Sequence, residues 1–133
     1  MTQRRVLLVE DNEDDRELTL LAFRQSNFQF AVDLAVDGAQ ALERLRAAPT
    51  LPALVLLDLN LPKIGGLEVL KHVRSEPRLK ELLVVVLTGS DEPEDQKEAE
   101  RLGVARFFTK PVGSAGFAKI VHELERLLTT ERF

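Results

Sequence analysis

The chain has 133 residues, 44% of them hydrophobic and 30% charged, with no cysteine. That balance describes one globular domain able to bury roughly two-thirds of its unfolded surface, and it excludes disulfide frameworks, thiolate metal sites and cysteine nucleophiles. Eighteen Lys and Arg against 22 Asp and Glu leave a formal charge of −4, the wrong sign for a protein built to grip a phosphate backbone.

Met1 to Arg5 leads into only four apolar residues before Glu10, and no apolar run approaches the roughly 18 residues of a membrane span. Neither a leader nor an anchor is expected, the expected compartment is the cytoplasm, and neither nucleic acid nor membrane is an expected partner. The first strand-length run is Val6 to Val9, followed by the acidic stretch Glu10-Asp11-Asn12-Glu13-Asp14-Asp15. Leu18, Leu21 and Ala22 then fall on helical spacing, with Asp14 and Asp15 as cap and first-turn residues favoured by the helix dipole. A second run, Ala31 to Val36, ends in the turn Asp37-Gly38, and Ala41, Leu42 and Leu45 mark a second helix. A third run, Leu54 to Leu57, ends at Asp58, and Val69, Leu70 and Val73 mark a third helix.

The fourth run, Leu82 to Leu87, ends at Thr88. The segment from Glu92 to Leu102 begins with Pro93, suited to a first helical turn, and turns Ala99 and Leu102 inward. Glu92, Glu94, Asp95, Glu98 and Glu100 dominate it, so a weakly held helix is expected. The fifth run, Val104 to Phe108, leads to Lys110-Pro111, and Phe117, Ile120, Val121, Leu124 and Leu128 form the inward stripe of a last helix that stops shortly before Arg132-Phe133. Residues 1–133 therefore read as a single domain.

Strand-length runs alternating with helical spacing predict an α/β fold: a doubly wound, five-stranded parallel sheet with helices on both faces. In such sheets ligands sit beyond the carboxyl ends of the strands. Those ends deliver Glu10 and Asp11, Asp58, Thr88 and Lys110 from four separate strands. Taken alone, each has an ordinary reading: a solvated acidic loop, a capping carboxylate, a strand-end hydroxyl, a surface lysine before a turn. Together they describe a pocket. Two carboxylates about 4 Å apart repel by roughly 4 kcal/mol at an effective dielectric of 20, so three converging there call for a cation. All-oxygen donors with room for water suit Mg²⁺ better than Ca²⁺. Glu10, Asp11 and Asp58 sum to −3, Lys110 brings this to −2, and a divalent cation brings it to zero, which leaves a pocket able to accept a phosphoryl group.

Through Val9-Glu10-Asp11-Asn12, Leu56-Leu57-Asp58-Leu59-Asn60-Leu61-Pro62, Leu87-Thr88-Gly89 and Lys110-Pro111, essentially the whole chain resembles the receiver domain of two-component response regulators. It looks most like the stand-alone regulators paired with phytochrome-type sensor kinases. The resemblance implies a flavodoxin-like receiver fold without an output domain. It implies that Asp58 takes a phosphoryl group from a phosphohistidine of a sensor histidine kinase, and that Glu10, Asp11, Asp58 and the carbonyl of Asn60 hold Mg²⁺. Lys110 and Thr88 would each meet a phosphoryl oxygen, and a cis peptide before Pro111 would aim Lys110 inward. Apart from its own phosphorylation and dephosphorylation, no enzymatic activity is implied. The onward partner would be a downstream protein or a phosphotransfer protein, with a homodimer as a further possibility.

Phe107 stands where the family places an aromatic that moves with the threonine, and is either that switch or a plain core residue. At Ile64-Gly65-Gly66 the usual Asp before the second glycine is missing, which puts the cap of the third helix in doubt. His72 and His122 lie among charged neighbours and read as surface residues. Leu20 and Phe23 form either a broad core face or an interaction patch. Two other functions fit parts of the pattern: a degenerate receiver that binds without phosphorylation, against which the intact pocket residues speak, and a haloacid-dehalogenase-like phosphatase, which would need a second Asp where Asn60 stands.

Overall fold

The computed structural model describes residues 4–26, 29–90 and 92–130. The terminal residues 1–3 and 131–133, on which the reading of a bare domain partly rests, lie outside the described residues. Five strands, β1 (Arg5–Val9), β2 (Ala31–Ala35), β3 (Leu54–Leu57), β4 (Val84–Thr88) and β5 (Arg106–Thr109), alternate with five helices, α1 (Glu13–Gln25), α2 (Gly38–Ala47), α3 (Gly66–Ser75), α4 (Pro93–Arg101) and α5 (Ser114–Thr130). All strand pairs are parallel, in the order β2-β1-β3-β4-β5. This is the doubly wound, flavodoxin-like arrangement, whose order reverses between β1 and β3.

Strand periodicity sorts the core into two layers. Val6, Leu8, Leu54, Leu56, Val85 and Leu87 face α1 and α5, meeting Ala22, Phe23, Phe117, Val121 and Leu124. Their alternates Leu7, Val9, Val55, Leu57, Val84 and Val86 face the other way, against Ala41, Leu42 and Leu45 of α2, Val69, Leu70 and Val73 of α3, and Ala99 of α4. Strands buried on both faces read as continuous apolar runs, and that is how β1, β3 and β4 appear in the sequence. Phe23 is 4% exposed, and Leu20 packs against the same cluster. The pair on α1 is therefore a core face. No described helix is long and apolar enough to cross a membrane.

The expected edges shift where local bonds compete with the sheet. Leu82 donates its N–H to the Leu79 carbonyl at 3.0 Å, in the turn before β4, so that strand begins two residues late. At Val36 the N–H is taken by the Gln40 side chain at 2.8 Å, which ends β2 at Ala35. The cap of α1 is Asn12, whose side chain accepts from the Asp15 N–H. Asp14 and Asp15, expected as cap and first-turn residues, both lie inside the first turn, because the helix already begins at Glu13, directly after Asn12. Gly65 caps α3 without a side-chain bond, as the missing Asp implied. Helix α4 buries only Ala99 fully, and its cap Glu92 makes no side-chain capping bond.

Candidate functional site

Parallel pairing sets the depth of each functional residue. Glu10 and Asp58 follow the last residues of β1 and β3, which lie side by side as Val9 and Leu57. The Asp58 N–H donates to the Val9 carbonyl at 3.1 Å and the Glu10 N–H to the Ala35 carbonyl at 3.0 Å. Thr88 closes β4, and the Lys110 N–H reaches its carbonyl at 2.8 Å. Glu10, Asp58 and Thr88 are thereby sunk to 1%, 3% and 0% exposure, while Asp11 stays exposed at the rim.

Asp58 is bonded on both oxygens. Its Oδ1 accepts from the Thr88 hydroxyl at 2.9 Å and from the Asn60 N–H at 3.0 Å. Its Oδ2 accepts from Lys110 Nζ at 2.9 Å. The same ammonium lies 3.0 Å from Glu10 Oε1 and 2.7 Å from Asp15 Oδ2. Asn12 N–H donates to Glu10 Oε2 at 3.2 Å. No buried side-chain polar atom among the described residues is left without a partner.

The charges remain unbalanced. Burial, and after it the adjacent Asp58 carboxylate, push the Glu10 carboxyl up to about 7, with Lys110 pulling the other way. Burial works to lower the Lys110 ammonium, but the bonds to Asp15, Asp58 and Glu10 prevail and hold it above the ordinary lysine range. Carboxylate oxygens of Glu10, Asp11 and Asp58 all lie within 4.8 Å of one another. An all-oxygen set with that much uncompensated negative charge fits a hard divalent cation.

The structure thus brings Glu10, Asp11, Asp58, Thr88 and Lys110 together, with Asn60 bonded through its backbone. Phe107 is partly buried against the α2, α3 and α4 side of the core. His72 is 4.0 Å from Glu68 on α3, and His122 is exposed on α5. Neither enters the pocket.

One expectation is corrected: no described peptide bond is cis, so Lys110-Pro111 is trans. An X-Pro bond favours trans by about 0.5–1 kcal/mol, and Lys110 meets its three carboxylates without the cis isomer. Asp15 is the pocket residue that sequence reasoning missed. As a first-turn acid it already had a sufficient explanation, and the only signal available was Asn12 as cap, which sets Asp15 three residues along over the strand ends.

Comparison with known proteins gives a consistent result. Residues 6–122 match the family model for the response regulator receiver domain. The response regulator Rcp1 of Synechocystis sp. is 35% identical over 126 residues, covering 90% of this chain and 85% of that protein. The phosphorylated cyanobacterial phytochrome response regulator RcpA superposes with a TM-score of 0.88 at 35% identity, over 98% of this chain and 96% of that one. The Mn(2+)-bound form of response regulator Rcp1 superposes at 0.83 and 34% identity, over 92% and 91%.

Proposed function

The chain belongs to the response regulator receiver domain family, and from that premise we propose that it works as a stand-alone receiver that accepts a phosphoryl group on Asp58 from a sensor histidine kinase of the phytochrome type. The observation that carries this reading is the bonding of Asp58. A buried carboxylate beside two others, bonded by a hydroxyl, a backbone N–H and an ammonium, is surrounded by groups that can follow charge onto a phosphoryl group.

One Asp58 oxygen attacks the phosphorus of a phosphohistidine in line with the P–N bond. The P–O bond forms as the P–N bond breaks, and the imidazole leaves with the electron pair and regains a proton from solvent. Lys110, already on Oδ2, meets one phosphoryl oxygen, and Thr88 turns its hydroxyl from Oδ1 to another. Glu10, Asp11, Asp58 and the Asn60 carbonyl are the candidate holders of Mg²⁺. When bound, that ion supplies charge neutralisation and orientation of the phosphoryl oxygens. Positioning and electrostatics carry the reaction, and hydrolysis of the acyl phosphate resets the protein; turnover of outside substrates forms no part of this role.

The signal leaves by the face of α4, β5 and α5. Thr88 precedes α4, whose sparse anchorage lets a shift of the hydroxyl bias its position at small cost. Phe107 on β5 borders the same cluster as Ala99. That face would meet a downstream protein, a phosphotransfer protein or a second copy of the chain. The test is intact mass after incubation with Mg²⁺ and a small acyl phosphate. Addition of one phosphoryl group, absent without Mg²⁺, supports the reading; an unchanged mass at saturating donor contradicts it.

A further inference from the structure

The shortest bond to the Lys110 ammonium comes from outside the cation site. Asp15 Oδ2 lies 2.7 Å from Nζ, against 2.9 Å for Asp58 and 3.0 Å for Glu10. Among the described residues, the carboxylates close enough to share an ion are Glu10, Asp11 and Asp58, and Asp15 is not one of them. Its side chain is 28% exposed, whereas those of Glu10 and Asp58 are 2% exposed.

Asp15 is also held independently of the lysine. Its N–H donates to the Asn12 cap at 2.9 Å, and its carbonyl accepts from the hydroxyl of Thr19 at 2.7 Å. Thr19 is itself 1% exposed on the inner side of α1. The ordinary task of a first-turn acid, complementing the helix dipole, is shared with Glu13 and Asp14 and requires no lysine.

We propose that Asp15 is a positioning residue that anchors the Lys110 ammonium on the solvent side of the pocket, so that Lys110 stays within reach of Asp58 while Glu10 and Asp58 serve a divalent cation. An ammonium has three donors, matched here by three carboxylates. Two of those also belong to the cation site, and a cation there repels the lysine. Asp15 is the one acceptor that Lys110 need not share. Without it, Lys110 has only Glu10 and Asp58 to bond and competes with the cation for them. This role rests on the cation and acceptor roles proposed above.

The test is a double-mutant cycle on Mg²⁺ affinity by calorimetry, in the wild type, Asp15→Asn, Lys110→Met and the double variant. Asp15→Asn is expected to weaken binding about tenfold with Lys110 present and about threefold or less in the Lys110→Met background, where only a screened charge is lost. Equal losses in both backgrounds, or no loss in either, would overturn the anchor. A second readout is the Lys110 ammonium resonance in the Mg²⁺-saturated protein. It should stay in slow exchange with solvent in the wild type and broaden in Asp15→Asn; a resonance unchanged by the substitution contradicts the proposal. A wild type that binds no Mg²⁺ would instead sink the cation site itself, and the anchor with it.

Discussion

The Thr88 hydroxyl donates to Asp58 Oδ1 at 2.9 Å, with both residues buried at the ends of adjacent strands. Under the proposed role of Asp58, the hydroxyl is committed to the acceptor carboxylate before phosphorylation, and a phosphoryl group there would have to release it. Thr88→Val keeps the shape and removes the donor, while the Asn60 N–H still serves Oδ1. We expect a stability loss of about 1 kcal/mol by denaturant titration. Asp58 should still be phosphorylated, but the phosphorylation-dependent change in amide exchange over residues 92–101 should disappear. If that change persists in the variant, Thr88 is not the relay.

Glu10 makes metal-free stability depend on pH. Its carboxyl sits near 7 in the folded protein and near 4.5 when unfolded. The folded state therefore holds more protons between those values, and stability falls as pH rises through that window. The melting temperature without divalent ions should decline from about pH 4.5 to 7. Glu10→Gln should flatten the decline, and Mg²⁺ affinity should rise over the same range as the proton leaves. A pH-independent melting temperature in the wild type would show that Glu10 is not strained by its neighbours.

Replacing both Glu10 and Asp11 by their amides removes two of three carboxylates. Mg²⁺ affinity should drop beyond the roughly hundredfold typical of losing an outer partner. Stability at pH 7 should hold or rise, because repulsion with Asp58 is relieved. A steep fall in metal-free stability would recast these residues as structural.

Much of this arrangement was legible in the sequence because strands buried on both faces write themselves as apolar runs, and because strand ends in a parallel sheet share one edge. The runs at β1 and β3 are continuous apolar segments, and Glu10, Asp58, Thr88 and Lys110 fell to the same edge by topology alone. The contributions of Arg74 and Gly38 depend on tertiary approach and leave no periodic mark. Arg74 donates to the carbonyls of Leu102 at 2.6 Å and Leu82 at 2.8 Å, and to those of Lys80 and Gly103, tying the end of α4 to the loop before β4. In the sequence it is one more charge on a helix. Asp15 is legible in the sequence as a first-turn acid, yet nothing there gives its distance to a lysine 95 positions away.

Gly38 opens α2 where a Cβ would collide with the Ile64 carbonyl oxygen. The loop carrying Asn60 between β3 and α3 is packed directly against that helix, with Lys63 at φ 68°. Gly38→Ala should cost about 1–3 kcal/mol through overpacking and shift the Asn60 amide resonance. An unshifted resonance with full stability would mean that the loop yields freely.

Arg74→Met should free the α4–β5 connection. The expected cost is about 2 kcal/mol, from carbonyls left without a charged donor, with amide exchange accelerated at residues 102–105. Unchanged exchange there would show that the guanidinium holds nothing in place.

The most direct measurement traps the phosphoryl group where it forms. Borohydride reduction of the protein treated with Mg²⁺ and an acyl phosphate converts an aspartyl phosphate to homoserine, which peptide mass mapping assigns to a position. Homoserine should appear at Asp58 alone and be absent from Asp58→Asn. Homoserine at another carboxylate of the pocket, or equal labelling of Asp58→Asn, would contradict the assignment of Asp58 as the acceptor.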